Sequence, residues 1–271
     1  MSPRDVPVVR IVLAHELRAH LRGALAWTLP LAALVALVCT LQPAMSNGLL
    51  AAKLAAMPEA MRRAFGLEML DLQRPVAYLA TNFMMVSIGI AVFTGLLGSS
   101  ILAKEETLHT AELLYTQPVS RAQLLAGKAA CVALYAIAIP LVIALVAGGL
   151  LAAIADRPLE PAVLAQLFAG VTVLALCFGG AGLLIAAVVR DARSANGVVL
   201  GVVLGTFFLG VISAASPRVA PLRWLSPFKW VEPTAIVVHG LAVIGAVGLT
   251  GVAVGCATLA IRQYRRRDLH A

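Results

Sequence analysis

Six stretches of this chain contain no Asp, Glu, Lys or Arg: residues 23–52, 75–103, 129–155, 161–189, 194–217 and 233–261. Each exceeds the roughly 20 residues a helix needs to cross the hydrocarbon core of a bilayer. One such run is compatible with a buried helix of a soluble protein; six in succession are not. A β-barrel fails on pattern. Outer-membrane strands alternate in polarity over about ten residues, whereas LVALVCTL and VLALCFGGAGLLIAAVV do not alternate. Leu and Ala dominate, and a helix satisfies its backbone amides internally, as lipid demands. The expected fold class is all-α: a polytopic membrane protein, residues 1–271 in one domain, with six transmembrane helices. The spans are expected at about 23–41, 77–103, 129–153, 162–189, 194–213 and 234–261.

Composition agrees. The chain is 61% apolar and 13% charged, with a mean hydropathy of +0.94, where a soluble domain has about 45–50% apolar and about 25% charged residues. The four cysteines, Cys39, Cys131, Cys177 and Cys256, all fall in expected spans, without metal-site or disulfide spacing. A formal charge of +8 invites a nucleic-acid reading. The bases are instead spread along the flanks of the spans, with no basic-aromatic groove motif, so nucleic acid is not an expected partner.

The distribution of bases sets an expected orientation. With both termini inside, 13 Lys and Arg residues fall on the inner side and 8 on the outer, the bias of cytoplasmic segments. The expected location is the cytoplasmic (inner) membrane with both termini in the cytoplasm. The first run follows a basic segment and precedes five others, so it reads as an anchor and not as a cleaved signal.

Several segments lie outside the spans. In residues 8–22, Val9, Leu13, Leu17 and Leu21 recur every four positions beside Arg10, Arg18 and Arg22, the pattern of a helix lying in the membrane interface. The same segment holds HELRAH, but His15 and His20 are five apart, not the four of a zinc-binding HExxH helix. The outer stretch 48–70 reads as a surface or mouth-capping segment, with substrate contact as a further role. Trp224, Phe228, Trp230 and Tyr78 read as headgroup-level anchors. Gly197, Gly201 and Gly205 repeat every fourth residue, which lets a second helix approach closely, from the same subunit or across a dimer seam. No acidic residue falls mid-span, so no proton relay is expected.

The connection between the second and third runs reads KEETLHTAELLYTQPVSRAQLLAGK, residues 104–128. Glu105, Glu106 or Thr107 suits the start of a short helix, which acidic groups favour. Leu108, Ala111, Leu114 and Tyr115 give it one apolar face, Pro118 stops it, and Ser120 with Gln123 has capping-box spacing for the next helix. The product is a rigid protrusion suited to receiving force.

This stretch resembles the loop after the second span in permease subunits of type-two ABC transporters, through Glu105, Glu106, Leu113, Leu114, Pro118, Val119, Ser120, Arg121, Gly127 and Lys128. Relatives often carry Gly-Thr before the Leu-rich helix; here LHTAE supplies Thr110 without the glycine. The resemblance implies a cytoplasmic coupling helix within 104–128, with Glu105, Glu106, Thr107, Thr110, Leu113, Leu114, Pro118, Ser120, Arg121 and Lys128 as coupling residues. It also implies a separate ABC ATP-binding subunit in two copies, a second permease subunit, and substrate movement in the export direction. The chain itself has no GxxxxGK[ST] phosphate loop, since LAGKAA lacks the earlier Gly and the Ser/Thr. No cofactor is expected to bind directly, and ATP is expected to be used by the partner. A non-transport assembly, lipid-extraction or signalling component, and a membrane-embedded enzyme, stand as alternatives.

Overall fold

The computed structural model describes residues 5–45, 56–64, 74–107, 121–155, 157–189, 191–215 and 217–266. The described helices are α1 (Asp5–Met45), α2 (Glu59–Ala64), α3 (Pro75–Thr107), α4 (Arg121–Ile154), α5 (Pro161–Val188), α6 (Ala192–Ala215), α7 (Pro227–Trp230), α8 (Pro233–His239) and α9 (Val243–Arg266). A 3₁₀ segment, Pro217–Leu225, joins α6 to α7. Six of these helices are long and apolar enough to cross a membrane: α1, α3, α4, α5, α6 and α9.

The helices form because their side chains ask nothing of their surroundings. Hydroxyls within the spans mostly turn back to their own backbone: Thr28 to the Ala24 carbonyl at 2.7 Å, Ser87 to Phe83 at 3.0 Å, Thr172 to Phe168 at 2.9 Å. Such back-bonding satisfies the polar atom without a neighbour or water. Outward faces are apolar too, as at Leu29, Leu141, Leu145 and Ile244. That is what lipid-facing helices require.

α3 and α5 form the centre and are the most buried of the six. They run parallel, and their contacts keep register along the whole length. Arg74, just before α3, holds Glu160, just before α5, through two hydrogen bonds, one of them Nε to Oε1 at 2.8 Å. Further along, Phe83 meets Phe168 edge to face at 4.8 Å. Deeper still, the helices touch backbone to backbone. A Cβ on Gly98 would collide with the Gly179 carbonyl, and one on Gly182 with the Gly95 carbonyl. Apolar burial gives little drive between helices in lipid, so close packing of this kind supplies the cohesion. α1 and α4 pack together on one side, α6 lies against α3, and α9 against α5.

Two expected boundaries move. α1 is one continuous 41-residue helix, where an interfacial helix over 8–22 followed by a separate span was expected. No proline or positive-φ glycine interrupts it near residue 23, and Gly127 of α4 packs onto it at the Val9 carbonyl and Val12, so the amino-terminal half is held against α4. The last apolar run divides in the opposite way. Gly240 takes φ +80, ending α8, and α9 begins only at Val243. Breaking a helix frees backbone groups that must find other partners. Here the Gln166 side chain accepts the Leu241 amide at 3.1 Å, and the Gly240 amide returns to the Ile236 carbonyl at 2.8 Å.

Candidate functional site

The polar connection between α3 and α4 lies between two membrane-length helices, and its two ends meet. α3 runs on to Thr107, beyond the last uncharged residue of its run, so Glu105, Glu106 and Thr107 form its final turn instead of starting a new helix. Thr110, Leu113, Leu114, Pro118 and Ser120 lie outside the described residues. Arg121 is the first residue of α4, where the capping-box reading of Ser120 puts the helix start.

Lys128 is placed most informatively. The family resemblance places it among the coupling residues, and it is 2% exposed. Its Nζ donates to the Ile101 carbonyl of α3 at 2.6 Å and pairs with Glu16 Oε1 of α1 at 3.1 Å. Glu16 is itself buried, and its other oxygen lies 3.4 Å from His20 Nε2 one turn on. An ammonium taken out of water needs a countercharge and acceptors for its protons. This site provides a carboxylate and a carbonyl from two different helices. Tyr135 Oη donates to the Leu17 carbonyl at 2.6 Å, a second bond between α4 and α1 on the same stretch. On the far flank of α3, Ser99 donates to Asn196 Oδ1 of α6 at 2.6 Å.

Sequence reasoning passed over Glu16. The stripe Val9, Leu13, Leu17, Leu21 was the expected apolar face, yet Leu21 is 49% exposed. The inward face runs through Leu13, Glu16, His20 and Ala24, and Arg10, Arg18 and Arg22 point outward. The three-and-four spacing of Leu13, Glu16, His20 and Ala24 was the available signal. It identifies Glu16 only once a buried cation is known to face it.

At the opposite end, Phe228 and Tyr78 are buried inside the subunit, while Trp224 is exposed as an anchor would be. Trp230 lies across Gly248 and Gly245 of α9, and its indole N–H donates to the Trp224 carbonyl at 2.9 Å. Lys229 Nζ bonds Glu232 Oε1 at 2.6 Å beside Ser87 and Met84. The void there, about 10 Å³, is no larger than one water needs.

Gly197, Gly201 and Gly205 sit on the open face of α6, where a Cβ would meet no described atom within 4 Å. Of their two expected uses, packing against a described helix of this subunit is therefore not one they serve. Glycines that do serve it include Gly95, Gly98, Gly179 and Gly182 between α3 and α5, Gly127 against α1 and Gly180 against Ala253 of α9.

Six apolar helices and a polar loop anchored at its neck by a buried ion pair describe a multi-pass membrane subunit of the permease type. The sequence matches the model of the ABC-2 family transporter protein over residues 10–268, and the chain belongs to that family. It is thus a membrane transport permease, and permeases of this family work with an ABC ATP-binding subunit. No curated protein matches the chain.

Proposed function

We propose that this chain is the membrane-spanning subunit of an ATP-driven exporter and that residues 104–120 form the element on which a separate ATP-binding subunit acts. The observation that carries the proposal is the family match over residues 10–268, taken with the position of this polar stretch between α3 and α4. Glu105, Glu106, Thr107, Thr110, Leu113, Leu114, Pro118, Ser120 and Arg121 are the docking residues. Lys128 belongs to the support beneath them. The partner hydrolyses ATP, and this subunit supplies the path and the two conformations. The excess of Lys and Arg supports a cytoplasmic position for this segment and both termini, in the inner membrane.

The assembly contains two ATP-binding subunits and a second permease subunit. The open glycine face of α6 supports the second permease as its occupant, because small residues let helix backbones approach closely in lipid.

Co-purification with a candidate ATP-binding protein, followed by ATPase measurement in nanodiscs, tests the docking role. Glu106→Ala and Leu114→Ala should weaken co-purification and abolish permease-dependent stimulation of ATP hydrolysis without lowering membrane insertion. Unchanged stimulation after replacing 105–118 with a Gly-Ser linker would refute the docking assignment.

A further inference from the structure

Ile101 and Lys128 bracket the whole connection between α3 and α4, and the bond between them closes that connection at its neck. The same ammonium reaches α1 through Glu16. Contacts on both sides fix α1 and α4 against one another: Gly127 at the Val9 carbonyl and Val12, and Tyr135 on the Leu17 carbonyl. α1 is far from the connection in sequence, yet it is tied to the neck by a charge.

Stability alone does not account for such a pair. Desolvating two ions costs several kcal/mol each, and well-packed apolar residues of similar volume often serve as well or better. What a charge-assisted bond adds is direction. Helices faced with Leu, Ala and Val present weakly corrugated surfaces, whereas a lysine held by one carboxylate and one carbonyl resists displacement along the helix axes.

We infer that Glu16 and Lys128 are positioning residues that carry movement of residues 104–120 into α1, so that α1, α3 and α4 shift as one body. This rests on the reading of 104–120 as the segment driven by the ATP-binding subunit.

The test uses the permease–ATPase complex in nanodiscs, with the four native cysteines replaced by Ala. Nitroxide labels are placed at residues 11 and 262 in one sample and at 110 and 262 in another. Pulsed electron spin resonance then compares nucleotide-free and ATP–vanadate states. The wild type should show a nucleotide-dependent distance change in both pairs. In Lys128→Met, and in the double variant Glu16→Gln/Lys128→Met, the 110–262 change should remain and the 11–262 change should be lost. The double variant removes both charges of the Glu16–Lys128 pair, which guards against misfolding of the single one. An 11–262 change that survives in both variants, or is absent from the wild type while 110–262 responds, overturns the inference. A 110–262 pair that does not respond in the wild type overturns the docking reading, and the inference with it.

Discussion

At the scale of single residues, the glycines separate into two kinds that look alike in sequence. Gly182 faces the Gly95 carbonyl, backbone against backbone, so a larger side chain there has no flexible neighbour to displace. Gly182→Leu should destabilise the subunit by at least about 1–3 kcal/mol, the usual cost of overpacking, read as a lowered Tm in detergent. Gly201→Leu should leave the Tm of the isolated subunit unchanged, because nothing described lies within reach of its Cβ, and should instead reduce permease pairing in cross-linking. Arg74 and Glu160 give a pH signature. The hydrogen bond from Arg74, reinforced by its charge, holds the Glu160 carboxyl below the ordinary carboxylate range, against a smaller opposing effect of burial. A carboxyl depressed in the folded state stabilises the fold at pH values above its unfolded pKa. That contribution disappears as pH falls through the folded value, so the pair weakens on acidification, starting below about pH 4.5. Both side chains are about a third exposed, so solvent screening keeps the contribution under about 1 kcal/mol. A double-mutant cycle with Arg74→Met and Glu160→Gln should show the coupling at neutral pH and its loss in acid.

At the scale of elements, the chain's charge pattern locates the membrane helices well and their ends poorly. Six uncharged runs became six membrane-length helices because lipid forces the backbone of each run to satisfy itself. The ends follow local chemistry instead. α1 extends through a basic segment because its inward face finds α4, and α3 continues through Glu105 and Glu106 despite acidic groups being unfavourable at a helix C-terminus. The break between α8 and α9 was illegible, since Gly240 is one of many glycines and its partner Gln166 lies 75 residues away. It is testable on its own terms. Gly240→Ala should cost about 1–2 kcal/mol, because a side chain at positive φ is strained. Gln166→Ala should raise amide exchange at Leu241 by removing its acceptor. If Gly240→Ala is neutral in thermal unfolding, the left-handed turn is not required.

At the scale of the whole molecule, the fold class and the family were legible, and the polar cross-links were not. Lys128 was counted with the coupling residues by family resemblance, and its neighbours in sequence are Leu, Ala and Gly; its partners Glu16 and Ile101 come from other helices, which no local pattern shows. Ser99 and Asn196 are ordinary span residues until α3 and α6 are brought side by side. The continuous α1 leads further. At 1.5 Å per residue its 41 residues measure about 60 Å, twice the roughly 30 Å of hydrocarbon it crosses. The apolar parts of α6 and α9, with 23 and 22 residues, have almost no length to spare. A thicker bilayer therefore strains α6 and α9, while along α1 it meets Arg22, Arg18 and Arg10, whose outward side chains keep the level of Glu16 out of the hydrocarbon. Acyl-chain length becomes a means of perturbing the glycine face and the broken helix while leaving the Glu16–Lys128 junction in place.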